Sequence, residues 1–137
     1  MISDKISSGI TGNIKIPGDK SISHRSIIIP SIAKGISEVN NILMSDDVIH
    51  TLEAFKLLGV KIKNEQNKII IYGNGLNGLS KPKKNIYLGN SGTSARLLTG
   101  LLASQSFNSV IEGLYLIAFP NCAIASRFTS FDSILRD

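Results

Sequence analysis

The chain of 137 residues is 42% hydrophobic and 18% charged, with a formal net charge of +5, a size and composition typical of one globular domain that can bury a core. It has no run of about 18 uncharged apolar residues and no apolar signal segment at its N-terminus, which argues against a membrane span and favours the cytoplasm. Cys122 is the only cysteine, so an internal disulfide and a cysteine metal cluster are excluded.

The first predicted elements are a strand and a helix. Asn13–Ile16 is predicted to be a short strand that ends before a Pro-Gly pair. Ser21–Lys34 is predicted to be a helix, because Ser21 or Ser23 can cap its start and Gly35 can stop it. Pro30 lies inside this helix, where it removes a backbone hydrogen bond and should kink the helix.

A second strand and a second helix follow. Val39–Leu43 is the predicted strand. Ser45 is the expected N-cap of the helix, since Asp46 and Asp47 place acidic groups in its first turn. The helical spacing of apolar side chains predicts a buried face made of Val48, Leu52, Phe55 and Leu58.

The second half of the sequence predicts further strands around one more helix. In order, its elements are a hairpin of Val60–Lys63 with Lys68–Tyr72, a loop at Gly73–Lys84, a strand at Ile86–Leu88, a helix at Ser91–Gln105 and a strand at Ser109–Glu112. The order β-α-β-α-β-β, followed by the start of a second copy, predicts the α/β class with mixed α+β character.

The composition of the chain changes at Leu114. All eleven lysines lie at or before Lys84, whereas three of the five phenylalanines lie at or after Phe119. We therefore expect residues 1–113 to form one folded unit and residues 114–137 to be a divergent tail, for which a frameshift is one explanation.

The segment Pro17–Arg25 (PGDKSISHR), called the first loop below, joins the first predicted strand to the first predicted helix. A helix start favours an anion, because its backbone N–H groups are free and it carries a partial positive charge. Lys20 adds a point charge, and Arg25 can donate two parallel hydrogen bonds to a phosphate or carboxylate. Ser21 can cap the helix or donate to the ligand. The alternative is a capped helix with exposed cations.

The segment Gly89–Arg96 (GNSGTSAR), called the second loop below, repeats this pattern at the third predicted helix. Its small residues let a ligand approach the backbone, and an anion could contact backbone N–H groups at Gly92. A tight turn and a capped helix are again the alternative. No Asp or Glu lies between Glu65 and Glu112, and the resulting positive field also favours an anionic partner.

Other motifs carry less information. Gly73–Gly78 matches G-x-G-x-x-G, but the following residues predict no helix, so we reject a dinucleotide site. The basic stretch lacks a cluster of aromatic residues, so nucleic acid is not an expected partner. His24 and His50 lack metal-ligand spacing, and His24 is interpreted as a helix-surface residue, with contact to the ligand as the alternative. The acids at 46 and 47 are attributed to the helix start rather than to catalysis.

Three segments together resemble a known family, in their order and spacing. They are Ile16–Arg25, Leu43–Leu52 (LMSDDVIHTL) and Leu88–Leu98 (LGNSGTSARLL). They resemble the EPSP synthase family of enolpyruvyl (carboxyvinyl) transferases over about residues 8–113. The resemblance implies transfer of the enolpyruvyl group of phosphoenolpyruvate to the 5-hydroxyl of shikimate 3-phosphate. This is a step of the shikimate pathway to chorismate and aromatic amino acids, and it uses no metal or organic cofactor.

The resemblance also implies a fold and residue roles. The fold has βαβαββ units in two globules with the active site between them, and here it would be incomplete. Lys20 would be the catalytic residue, because it would contact both substrates. The implied shikimate 3-phosphate ligands are Lys20, Ser21 and Arg25. The implied phosphoenolpyruvate ligands are Gly92, Asn90, Thr93 and Arg96.

Beyond Gly113 the resemblance stops. The family continues to an Arg-Pro-Met stretch whose arginine binds phosphoenolpyruvate, and Arg127 is not in that context. The family's acid and base residues come later still. We therefore expect the chain alone to lack turnover. The alternatives are a non-catalytic or anion-binding remnant and a separate chain that supplies the rest of the enzyme.

Overall fold

The computed structural model describes residues 12–14, 16–65 and 68–113. In these ranges the elements are α1 (Lys20–Ile32), β1 (Lys34–Asn40), α2 (Asp46–Leu57), β2 (Lys61–Glu65), β3 (Lys68–Asn74), β4 (Ile86–Tyr87), α3 (Gly92–Ala103) and β5 (Ile111–Glu112). The predicted tail at residues 114–137, with Cys122, lies outside the described residues. None of the described helices is long and apolar enough to span a membrane.

The strands form two sheets of different kinds. β1, β3 and β2 lie side by side in that order and are antiparallel, so that Ile36 and Lys61 both lie opposite Tyr72. β4 and β5 are parallel, with Ile86 opposite Ile111, and α3 connects them as a β-α-β unit. This combination confirms the predicted mixed α/β class.

The core lies between the helices and one face of the three-stranded sheet. Alternate residues of a strand face opposite sides, and Ile69 and Ile71 of β3 are buried. Tyr72 lies on the other face, where the Lys61 ammonium is 5.0 Å from its ring centroid. The predicted inner face of α2 is confirmed, since its four members are buried: Val48, Leu52, Phe55 and Leu58.

The strand predicted at Asn13–Ile16 is wrong for the residues that the structure describes. Asn13, Ile14 and Ile16 are not in a strand, and the two isoleucines are 88% and 74% exposed. A strand needs a neighbour for its backbone N–H and C=O groups, and no described strand lies beside this segment. The fourth residue of the prediction lies outside the described residues.

The second predicted strand is displaced. It was expected at Val39–Leu43, but β1 runs from Lys34 to Asn40 and includes Gly35, the predicted helix stop. The cause is tertiary pairing, because every residue of β1 has a partner on β3. Asn41 ends the strand, since its φ of 54° lies in the left-handed region.

The other predicted elements are confirmed, with small shifts at their ends. Gly73–Gly78 is followed by a loop, as the rejection of a dinucleotide site requires. Glycine is instead required at position 73 by close packing against α1. A side chain there would collide with the backbone carbonyls of Pro30 and Ala33 at the end of α1.

Candidate functional site

The start of α1 is fixed by an aspartate. Asp19 is the N-cap, rather than the predicted Ser21 or Ser23, because its Oδ1 accepts the N–H of Ile22 at 2.7 Å. The Ser23 hydroxyl donates to the Asp19 carbonyl at 2.7 Å and accepts the N–H of Leu43 at 3.0 Å. The first loop is thereby tied to the segment that follows β1.

Three predicted ligand residues lie at this helix start. Lys20 is the first residue of α1, Ser21 is half-buried and Arg25 is exposed one turn further on. The Lys20 ammonium forms an ion pair with the carboxylate of Asp47, in the first turn of α2. The two side chains are 51% and 19% exposed. Asp47 therefore does more than the sequence indicated, since it also holds the predicted catalytic lysine.

The start of α3 carries the other four predicted ligand residues. Ser91 caps it, because its Oγ accepts the N–H of Ser94 at 3.2 Å. Gly89 lies in the turn that leads into α3. Its φ of 58° and the closeness of the His50 ring both favour glycine at this position. Gly92 and Thr93 are half-buried in the first turn. The two exposed members of the set are Asn90 and Arg96.

A buried polar network joins the N-terminal halves of the three helices. Nδ1 of His24 lies 2.9 Å from Oγ1 of Thr51 on α2 and 3.2 Å from Oγ of Ser94 on α3. The Thr51 and Ser94 oxygens are 2.8 Å apart, and so are those of Ser91 and Ser94. The interpretation of His24 as a surface residue is wrong, because no part of it is exposed.

Sequence reasoning missed this network, although one signal was present. His24 precedes Ile27 and Ile28 by three and four positions, which places it on the same inner face of α1. Burial lowers the pKa of His24 below its ordinary value of 6.5; Asp47 opposes this effect and Lys20 adds to it. Burial therefore favours the neutral imidazole over the imidazolium.

The structure thus defines an α/β chain in which two helix starts, each with a nearby cation, are linked by buried hydrogen bonds. Lys20, Ser21 and Arg25 lie at one start. The second loop lies at the other, and the contact of His24 with Ser94 brings the two starts together. Within the described ranges, no three His, Cys, Asp or Glu side chains gather as a metal site. Such an arrangement is suited to anionic ligands.

Comparisons with known proteins identify the family. The family model for EPSP synthase (3-phosphoshikimate 1-carboxyvinyltransferase) matches residues 5–118. The 3-phosphoshikimate 1-carboxyvinyltransferase of Streptococcus mutans is 54% identical over 106 residues, which are 77% of this chain and 25% of that protein. The Oenococcus oeni enzyme of the same name is 50% identical over 129 residues, covering 88% of this chain and 30% of that protein.

The structural comparison agrees with the sequence comparison. The EPSP synthase of Acinetobacter baumannii superposes with a TM-score of 0.73 and 45% identity, over 77% of this chain and 24% of that one. The chain belongs to the EPSP synthase family. It spans about a quarter of the length of these relatives.

Proposed function

We propose that this chain carries substrate-binding loops for enolpyruvyl transfer from phosphoenolpyruvate to shikimate 3-phosphate, in the cytoplasm. The reaction joins C2 of phosphoenolpyruvate to the 5-hydroxyl of shikimate 3-phosphate, through a tetrahedral adduct that then eliminates phosphate. The observation that carries the proposal is the pair of linked helix starts, with Lys20 at one and Gly92 at the other. Family membership supports it independently.

In this proposal the first loop binds shikimate 3-phosphate. Arg25 and Ser21 would donate to its anionic groups, and the free backbone N–H groups at the start of α1 would add to the positive field. The Lys20 ammonium is paired with Asp47 at the start of α2. The family resemblance implies that Lys20 would contact both substrates. A lysine shared in this way would offset the negative charge that the two substrates bring together.

The second loop would bind phosphoenolpyruvate. Gly92 leaves the backbone of the first turn of α3 open to a phosphate or carboxylate, and Asn90 and Thr93 flank it as donors. Arg96 lies one turn along the same helix and would add a further cation. The absence of Asp and Glu between Glu65 and Glu112 in the sequence supports an anionic ligand here.

We propose further that turnover needs the remaining part of the family fold, because general acid–base catalysis requires groups beyond these two loops. A separate chain that supplies them is one candidate partner. The exposed side chains of Ile22 and Ile29 favour this candidate, since they are 66% and 60% exposed and seven residues apart on one face of α1. A non-catalytic remnant that only binds anions is the alternative.

The test is a titration of shikimate 3-phosphate into the chain, with binding measured by calorimetry and by NMR of the backbone amides. We expect saturable binding that Lys20→Ala and Arg25→Ala each weaken about 10- to 100-fold, the usual effect of losing a hydrogen bond to a charged group. The matched control is the single variant Lys84→Ala, which removes one positive charge, as each test variant does, from an exposed loop.

Each outcome has a distinct meaning. Loss of binding in the two loop variants with an unchanged control would support the proposal. Equal weakening in all variants would show that only the net charge of the chain matters. A folded wild-type chain that does not bind would show that the two loops are insufficient, and the titration would then be repeated with the remaining part of a relative's enzyme added as a second chain.

A further inference from the structure

The number of hydroxyl hydrogens in the buried network determines which nitrogen of the imidazole carries a hydrogen. The network consists of His24, Thr51, Ser94 and Ser91. The three hydroxyl groups supply three hydrogens. One bonds the Asp47 carbonyl, because the Thr51 hydroxyl donates to it at 3.1 Å. Ser94 must then donate to Thr51, and Ser91 to Ser94, for the two contacts of 2.8 Å to be hydrogen bonds.

With all three hydroxyl hydrogens used, the remaining contacts need a donor on the ring. The hydrogen between His24 and Thr51, 2.9 Å apart, must come from Nδ1, which can share it with Ser94 at 3.2 Å. If Nδ1 carried no hydrogen, Thr51 or Ser94 would have to turn to it and one of the other bonds would be lost. The neutral form with its hydrogen on Nδ1 is therefore the one that satisfies every contact.

The other ring nitrogen gives the same answer. Nε2 of His24 is buried and has no hydrogen-bond partner among the described residues. An orphaned N–H is rarer in protein interiors than an unused acceptor, so a bare Nε2 is preferred over a protonated one. An imidazolium would carry a charge and an unpaired N–H in the core, and both would be unfavourable.

We propose that His24 is a positioning residue which, as the neutral Nδ1–H form, holds the two loops in one fixed arrangement. The imidazole of α1 contacts Thr51 on α2 and Ser94 on α3, so it fixes the N-terminal halves of the three helices relative to one another. Thr51 lies four residues after Asp47 on α2 and receives the imidazole hydrogen. The network therefore also connects to the residue that pairs with Lys20.

The consequence for substrate binding rests on the proposed function, whereas the test needs no substrate. Charged groups on two elements face the imidazole: Asp47 on α2 and Lys20 on α1. Their effects on its pKa oppose each other, and burial dominates. We therefore expect His24 to stay neutral at pH values at which an exposed histidine is charged.

The first measurement is the ¹⁵N chemical shifts of the His24 ring in the full chain, followed from pH 7 downwards. We expect a protonated-type nitrogen at Nδ1, a bare-type nitrogen at Nε2, and a midpoint below 6.5. Two results would overturn the proposal: a hydrogen on Nε2 instead of Nδ1, or a titration midpoint equal to that of an exposed histidine.

The second measurement follows the second loop in variants of Thr51, which is distant from it in sequence. Thr51→Val keeps the shape of the side chain and removes the hydroxyl, whereas Thr51→Ser keeps the hydroxyl. In Thr51→Val we expect displaced amide signals for Gly92 and Thr93 and about tenfold faster hydrogen exchange at Ser94, the effect of one lost hydrogen bond. Thr51→Ser should remain close to wild type.

His24 variants separate a positioning role from simple packing. His24→Asn can still donate to Thr51 from a position near that of Nδ1, whereas His24→Leu fills the space without a donor. We expect the Asn variant to retain the wild-type signals of the second loop and the Leu variant to displace them. A folded Leu variant with unchanged signals at Gly92 and Thr93, or equal displacement in both variants, overturns the proposal.

Discussion

Substitution of Asp47 by Asn tests whether this carboxylate competes with an anionic ligand for the Lys20 ammonium. The ion pair joins a lysine that is 51% exposed to a carboxylate that is 19% exposed, so solvent screens it substantially. Pairs of this kind contribute about 0.2–1 kcal/mol. An anion that binds Lys20 must share the ammonium with Asp47. Removal of the Asp47 carboxylate should therefore tighten anion binding by up to about fivefold.

Asp46 provides the matched control, because it lies beside Asp47 in the first turn of α2 and is exposed. Both substitutions remove one negative charge from the same helix start, where an acid contributes about 0.3–1 kcal/mol of stability. Asp46→Asn should therefore show the helix effect alone. Asp47→Asn should lower the free energy of unfolding by roughly 0.5–2 kcal/mol, since the contributions of the helix start and of the ion pair add.

The assay is a shikimate 3-phosphate titration of both variants by calorimetry at low and high salt, with urea denaturation for stability. We expect the difference in affinity between the variants to shrink at high salt, because salt screens exposed charges. Equal affinities for the two variants would refute the competition. Weaker binding by Asp47→Asn than by Asp46→Asn would mean that the Asp47 carboxylate favours anion binding, and would show that it orients Lys20 for the ligand.

Four further predictions concern stability. Phe55→Ala should lower the free energy of unfolding by about 3–5 kcal/mol, because Phe55 has no exposed surface; a loss below 1 kcal/mol in urea denaturation would contradict that packing. Gly89→Ala should destabilise by at least about 1–2 kcal/mol, because its φ is 58° and the new Cβ would lie 2.6 Å from His50 Nδ1. Gly100→Ala, in an open position on α3, should instead stabilise by about 0.5–1 kcal/mol, and equal effects of the two substitutions would contradict the assigned backbone. Stability should fall as the pH decreases below 6.5, because burial lowers the pKa of His24 in the folded chain and the unfolded chain then takes up the proton first. His24→Asn should remove that part of the pH dependence, and an unchanged profile would contradict the assignment.

The sequence predicted the elements whose signals are local. α2 was placed correctly from Ser45 at the N-cap position, its first-turn acids and its apolar spacing, all of which act within a few residues. The predicted capping hydrogen bond is absent, because the buried Ser45 hydroxyl has no partner among the described residues. The start of α3 followed in the same way from Ser91. The loop motifs that identify the family are also short and contiguous, which is why the family could be recognised before any contact was known.

The elements that the sequence misplaced depend on distant partners. β1 starts at Lys34 because β3 pairs with it along its whole length, and no property of residues 34–38 alone indicates that pairing. Asn13–Ile16 has the composition of a strand, but a strand requires a neighbour to satisfy its backbone groups. Propensity describes a residue's local preference, whereas pairing decides which preferences are realised.

The sequence by itself determined the family, the mixed α/β class and the two loops as candidate anion sites. Only the tertiary structure brought Lys20 to Asp47 and buried His24 against Thr51, 27 residues away, and Ser94, 70 residues away. A charge or a ring nitrogen acquires its role from what surrounds it. Those surroundings come from three helices that meet only when the chain folds.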